Sequence, residues 1–400
     1  MSAHLEEWLN LALRWAHVIT GVAWIGTSFY FNWLNGRLEP PGKPEFGVAG
    51  ELWSVHGGGF YRVVKYTVAP GELPRTLHWF KWEAYATWLT GLGLLVLVYY
   101  LSAASFLVPS EGAPARPSAG AAIALGVGTL VVSWLVYDAL CRSPLASRPL
   151  VLGATLLSLG TALAWELSRL LSARAAYIHV GAAIGTIMAA NVLMVIIPAQ
   201  QEMVAALRAG RTPDAARGKQ GALRSLHNNY LTLPVLFIMV SSHYPGTYGH
   251  PLNWAILAGL ALVGVMTRHW FNLRNQGRGR QNVWLLPAAA CGLVALALVT
   301  APRVPRGRAN GTDAASFADV RVIVARRCAA CHSSAPTAPG IPAAPLRVLL
   351  DTPDQIRASA PRILAVAVDA QTIPLGNLTG MTPEERELLG RWIRGGANLP

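Results

Sequence analysis

Apolar residues along this chain gather into long runs, and most polar and charged residues fall between them. About eight runs reach or approach the ~20 residues that a helix needs to cross a hydrocarbon layer. They are Trp8–Leu34, Ala84–Leu107, Ala119–Leu140, Pro149–Leu171, Ala176–Pro198, Tyr230–His243, Leu252–Phe271 and Val283–Ala301. The sixth is short, at about 14 residues against that length; it either extends back through Leu226–Asn229 or breaks at Pro234. After Ala301 the pattern changes to a basic, Gly/Pro/Ala-rich stretch and then to short amphipathic segments. The expected fold class is all-α: a polytopic transmembrane helix bundle over 1–301, a linker over 302–315 and a small helical domain over 316–400.

The loop between the first two runs, about residues 35–83, is too long to serve only as a connector. It holds Trp53, His56, Gly57-Gly58-Gly59 and the alternating aromatic and basic run Phe60-Tyr61-Arg62-Val63-Val64-Lys65-Tyr66. Such alternation suggests a short strand or a surface resting on lipid headgroups. The glycines read first as a turn, and second as a place where a ligand approaches backbone.

Composition supports a lipid-embedded body. Hydrophobic residues make up 53% of the 400 residues and charged ones only 13%, against about 25% charged in soluble domains. The net charge of +13 is no nucleic-acid signal, because the basic residues cluster in particular loops rather than along an aromatic-interleaved stripe. Arg37, Lys43, Arg62, Lys65, Arg75, Lys81, Arg142, Arg148, Arg208, Arg211, Arg217, Lys219, Arg224, Arg268, Arg274, Arg278 and Arg280 fall on one side of an eight-crossing topology. Arg116, Arg169 and Arg174 fall on the other. The positive-inside rule makes the first side cytoplasmic. Met1–Glu7 has no basic residue and does not read as a cleavable signal peptide. Cys141 and Cys291 lie in or beside apolar runs and read as inert thiols.

The remaining cysteines form Cys328-Ala329-Ala330-Cys331-His332. In a C-x-x-C-H run the two thiols add to the vinyl groups of one haem, and the histidine ligates its iron. No Cys or His follows His332, which leaves a zinc site short of ligands. Met381 is the only methionine beyond Met266 and is the expected sixth ligand. Around this motif Phe317, Val320, Ile323 and Val324 share one helical face. Thr382, Pro383 and Glu385 form a capping box for a last helix, which carries Leu388, Leu389 and Trp392 and stops at Gly395-Gly396. The segment thus reads as a class I-like cytochrome c domain. A covalent haem is attached outside the cytoplasm, so the C-terminus is expected on the periplasmic side, the side that the charge pattern also selects.

Ionisable residues within lipid-embedded helices are candidates for function. His17, His179 and His243 sort towards the outer face, and His78, His227 and His269 towards the inner one; His56 belongs to the long loop. The outer set is either a ligand set for a second redox centre, such as a b-type haem, or a group of interhelical hydrogen bonds. Glu166 with Arg169 and Asp138 with Arg142 have helical ion-pair spacing, whereas Arg14 and Glu83 have no evident partner. Gly181-x-x-x-Gly185 suits close helix packing. At the inner mouth Gln200, Gln201, Arg224, His227, Asn228, Asn229, Asn272 and Asn275 crowd together. They suit either a flat, polar, anionic heterocycle or hydrated helix ends.

Four segments of the body resemble bacterial integral-membrane urate oxidases fused to a cytochrome c: Arg14–Gly26, Trp53–Tyr61, Leu77–Glu83 and Leu226–Tyr230. Pro374–Thr382 resembles the cytochrome end of that family. What the resemblance implies is oxidation of urate to 5-hydroxyisourate in the bacterial inner membrane. Electrons would pass to the fused haem c and on to a soluble or membrane cytochrome c or terminal oxidase. His17, His56, His78, His179 and His227 are the catalytic residues it suggests. Relatives often carry methionine where this chain has Ile373, so Met381 takes the role of axial ligand here. A competing reading is a membrane cytochrome that passes electrons from quinol or another donor to haem c without urate chemistry.

Overall fold

A computed structural model describes residues 3–43, 46–66, 73–109, 115–301, 315–338, 341, 344–374 and 377–400. Positions 302–314 of the expected linker and Leu375-Gly376 lie outside the described residues. The first apolar run forms one long helix, α1 (Ala3–Gly36). Residues 48–66 form a two-stranded antiparallel hairpin, β1 (Val48–His56) and β2 (Gly59–Tyr66). This hairpin is the non-helical exception to the all-α expectation, and it realises the strand reading of the aromatic–basic run. Gly57 and Gly58 turn it with φ of 58° and 80°, a conformation that side chains disfavour.

Helix α2 (Trp82–Leu94) continues into a π-helical turn at Leu95–Tyr100. Next come α3 (Ala119–Arg142), α4 (Pro149–Leu170) and α5 (Ala173–Ala190). Helix α5 runs on through a π-helical turn at Asn191–Ile196 to Arg208. Then follow α6 (Ala215–Ser241), the single turn α7 (Pro245–Tyr248), α8 (Asn253–Asn275) and α9 (Leu285–Val299). Among the described residues five helices are long and apolar enough to cross a membrane: α3, α4, α5 with its extension, α8, and α9 with the turn before it. Helices α1, α2 and α6 are punctuated by polar side chains, among them Arg14 and His17, Glu83 and Thr87, and Arg224 to Asn229. The expectation of about eight crossings therefore rests on these three for its remainder.

The sixth run extends rather than breaks. Pro234 sits inside α6, so the Tyr230 carbonyl loses its usual helical donor. The bundle core joins Leu95, Tyr99, Leu107, Leu167, Tyr177, Ile238 and Leu257. The Tyr177 hydroxyl donates to the Asn253 carbonyl at 2.6 Å. Gly181 meets Ile238 so closely that no side chain fits there, whereas Gly185 faces open space; only half of that glycine pair is a packing device.

The C-terminal unit has its own core. Helices α10 (Phe317–Arg327), α11 (Pro353–Ile363) and α12 (Pro383–Arg394) bury Phe317, Val320, Ile323, Val324, Ile356, Leu389 and Trp392 together with Cys328 and Met381. The Thr382–Glu385 capping box forms as read, and Gly396 has a φ of 104° just past the last helix. The unit touches the bundle beside α7: a methyl group at Gly249 would lie 2.8 Å from the Ala370 Cα, and Ala370 packs against the bundle core that holds Tyr248.

Candidate functional site

Hydrocarbon offers no partner to a polar side chain, so each one must be satisfied inside the bundle or act on something bound there. The polar residues of this bundle form a cavity and a separate layer, named outer and inner after the topology expected from the sequence.

The outer cavity, about 440 Å³ in volume, lies between α1, α2, α5 and α6 and is mainly apolar. Arg14, His17, Arg174 and His243 reach it beside Trp88 and Tyr99. Arg14 is hydrogen-bonded to Asn10. His17 donates from Nδ1 to the Thr87 carbonyl at 3.0 Å. His179, fully buried, donates from Nδ1 to the Ala175 carbonyl at 2.8 Å, and its Nε2 faces the Tyr100 hydroxyl at 3.3 Å. Among the described residues no group of three or more His, Cys, Asp or Glu is disposed to hold a metal ion.

The five histidines named from the sequence are dispersed rather than gathered. His17 borders the cavity and His179 is bound up with Tyr100. His56 is exposed at the hairpin tip, and His78 is exposed with its ring edge-on to Phe80 at 4.5 Å. His227 meets the Tyr137 hydroxyl at 2.9 Å and the Cys141 Sγ at 3.7 Å.

The inner layer divides into two networks. In the first, Arg224 donates to the Asp138 carboxylate at 2.6 Å and to the Asn191 Oδ1 at 3.4 Å. Asn191 in turn donates to the Tyr137 hydroxyl at 3.0 Å and to the Asn228 Oδ1 at 2.9 Å. Asn228 donates to the Met188 carbonyl at 2.9 Å, and Arg142 shares Asp138 at 2.6 Å. This network joins α3, α5 and α6 and neutralises its own buried arginine. Its centre, Asn191, is fully buried and was missed in the sequence. A lone amide within the apolar run Ala176–Pro198 was the available signal.

The second network joins α6 and α8, with α1 beside it. The Asn229 Oδ1 accepts from the Arg268 Nε at 3.0 Å and from the Asn272 Nδ2 at 2.9 Å. The Arg268 guanidinium lies over the Phe29 ring, 3.9 Å from its centroid. Alongside, the Tyr230 hydroxyl and the His269 Nδ1 are 2.6 Å apart. Gln200 and Gln201 are exposed, and Asn275 packs its backbone against Gly36, so none of these three joins either network.

In the C-terminal unit, Cys328 caps α10 and is buried, and burial pushes its thiol up to about 11. Cys331 and His332 both turn back to the Cys328 carbonyl. His332 donates from Nδ1 to the Val348 carbonyl at 3.0 Å, which leaves Nε2 free to act as a ligand. Met381 is buried in the same core as Cys328 and is held at both backbone atoms by Asn377: its N–H donates to Oδ1 at 2.9 Å, and its carbonyl accepts from Nδ2 at 3.0 Å. Arg386 braces this loop by donating to the Ala367 and Ile373 carbonyls and to the Asn377 Oδ1. Cys328 and Met381 share one small core, and Cys331 and His332 follow Cys328 half-buried; two thiols, an imidazole and a thioether are the donor types that a covalently held haem takes.

Comparison with curated proteins and with solved structures returned no match. A family model described as urate oxidase N-terminal matches residues 3–301, the bundle and hairpin together, and ends where the expected linker begins. The chain belongs to the urate oxidase N-terminal family.

Proposed function

We infer that this chain is a membrane-bound oxidoreductase that converts urate to 5-hydroxyisourate and delivers the electrons to a haem c on its own C-terminal unit. One observation carries the reading. The family match covers the body to residue 301, and the next folded unit holds Cys328 and Met381 in one core, with Cys331 and the Val348-bound His332 directly after Cys328. Urate and water give 5-hydroxyisourate, two protons and two electrons. A bound haem supplies a one-electron acceptor, so each urate requires two transfers or a second centre. Cys328 and Cys331 would tether the porphyrin, His332 would offer Nε2 to the iron, and Met381, kept in place by Asn377, would offer its thioether.

The bundle sits in the bacterial inner membrane with the C-terminal unit on the periplasmic side, where a soluble or membrane cytochrome c or a terminal oxidase collects the electrons. The packing of Ala370 against the bundle core and Gly249 supports a direct hand-off, because it brings the bundle against the segment leading to Pro374. The test is to add urate anaerobically to oxidised membranes and record the haem absorption. Reduction by urate is expected; an unchanged spectrum, with quinol still effective, overturns the reading in favour of a membrane cytochrome.

A further inference from the structure

The two inner networks contain similar residues but differ in what they leave unused. Around Arg224 the charge is cancelled by Asp138, and Asn191 and Asn228 spend their amides on one another and on backbone. Around Arg268 three buried atoms have no partner among the described residues: the Arg268 Nη2, the Asn229 Nδ2 and the Asn272 Oδ1. The Arg268 side chain is about as secluded as that of Arg224, at 5% against 3% residue exposure, yet no carboxylate pairs with it among the described residues. A buried polar atom left unpaired keeps its full desolvation cost, and such groups are rare in folded proteins without a reason.

The three unused atoms are two donors and one acceptor on side chains joined through the Asn229 Oδ1, so they share one locality. An oxopurine edge alternates carbonyl acceptors with N–H donors, and as an anion it also needs an uncancelled positive charge. The stacking of Arg268 on Phe29 fixes the plane of the guanidinium. Pro234 removes the donor to the carbonyl of Tyr230, next to Asn229, so the helix is least tightly bonded at this turn.

We propose that the Arg268–Asn229–Asn272 cluster, backed by Phe29, is the binding site for the oxopurine anion. A ring carbonyl accepts from the Arg268 Nη2 and the Asn229 Nδ2, and a ring N–H donates to the Asn272 Oδ1. The site rests on the urate reading given above. Buried water could satisfy the same three atoms, but water does not answer the unpaired charge, and the experiment separates the two.

The experiment is equilibrium dialysis of radiolabelled urate against the full-length holoprotein in detergent. The variant Asn272→Asp places a carboxylate beside Arg268 with almost no change of shape, copying the Asp138–Arg224 pair. It is expected to weaken urate binding at least tenfold in protein that still folds and keeps its haem spectrum. Arg268→Gln is expected to do the same, and if it fails to fold, Asn229→Ala replaces it. Glu166→Gln, in an exposed ion pair, serves as the control that binds as wild type does. If wild type binds urate and the cluster variants bind it equally, the cluster holds only water and the site assignment is overturned. If wild type binds no urate, the substrate reading falls, and the assignment with it.

Discussion

The bundle and the C-terminal unit each enclose a buried arginine beside their working residues, and they stabilise it differently. In the bundle, Arg224 faces the Asp138 carboxylate, so the pair is electrically closed and must be kept whole. In the C-terminal unit, Arg386 meets backbone carbonyls and an amide, and burial lowers its affinity for the proton. A carboxylate partner makes a structural joint, whereas carbonyl partners spread a positive charge over the loop that carries Met381. Arg268 stands between the two cases, with an amide partner and part of its fork unspent.

That contrast can be broken most decisively at Asp138. Asp138→Asn strands the Arg224 charge in a buried site and is expected to cost about 3–5 kcal/mol, read as loss of folded protein in a detergent thermal-shift assay. Arg386→Ala removes several carbonyl contacts at once and is expected to destabilise the C-terminal unit by about 2–3 kcal/mol. It should also disturb the Met–iron charge-transfer band; an unaltered band would show that Arg386 does not position Met381. A cap lies further down the scale: Thr382→Ala is expected to cost about 1 kcal/mol in denaturant unfolding followed by the haem band, with the bundle transition unmoved.

The smallest effect concerns pH. Burial alone would raise the Glu385 carboxyl, but hydrogen bonds from Arg327 and from the Thr382 N–H outweigh it, and the net shift is downward from 4.5. A carboxyl depressed in the folded state contributes its full stabilisation above its unfolded value and loses it as pH falls through the folded one. The C-terminal unit should therefore begin to lose stability below about pH 4.5. Glu385→Gln should flatten that part of the profile; an unchanged slope would assign the effect to other carboxyls.

Local features were legible in the sequence because their physics is local. The Thr382 capping box, the Gly57-Gly58 turn and the Asp138–Arg142 pair involve residues within a turn of each other. What tertiary packing decides was not. The second partner of Asp138 is Arg224, on another helix; Asn191 became a hub through the π-helical turn that it opens. The inner mouth was recognised as polar, but its division into a spent half and an unspent half depends on which amide faces which arginine. Histidines drew attention by chemistry alone, and the fold scattered them.

Gly249 has a bearing on how the two units work as one. There is no room for even one carbon between its backbone and Ala370, so the Ala370 methyl meets the Gly249 main chain directly and no long, adjustable side chain cushions the seam. The spacing of the two units at this point is therefore set by covalent geometry, and a larger residue at either position would force them apart.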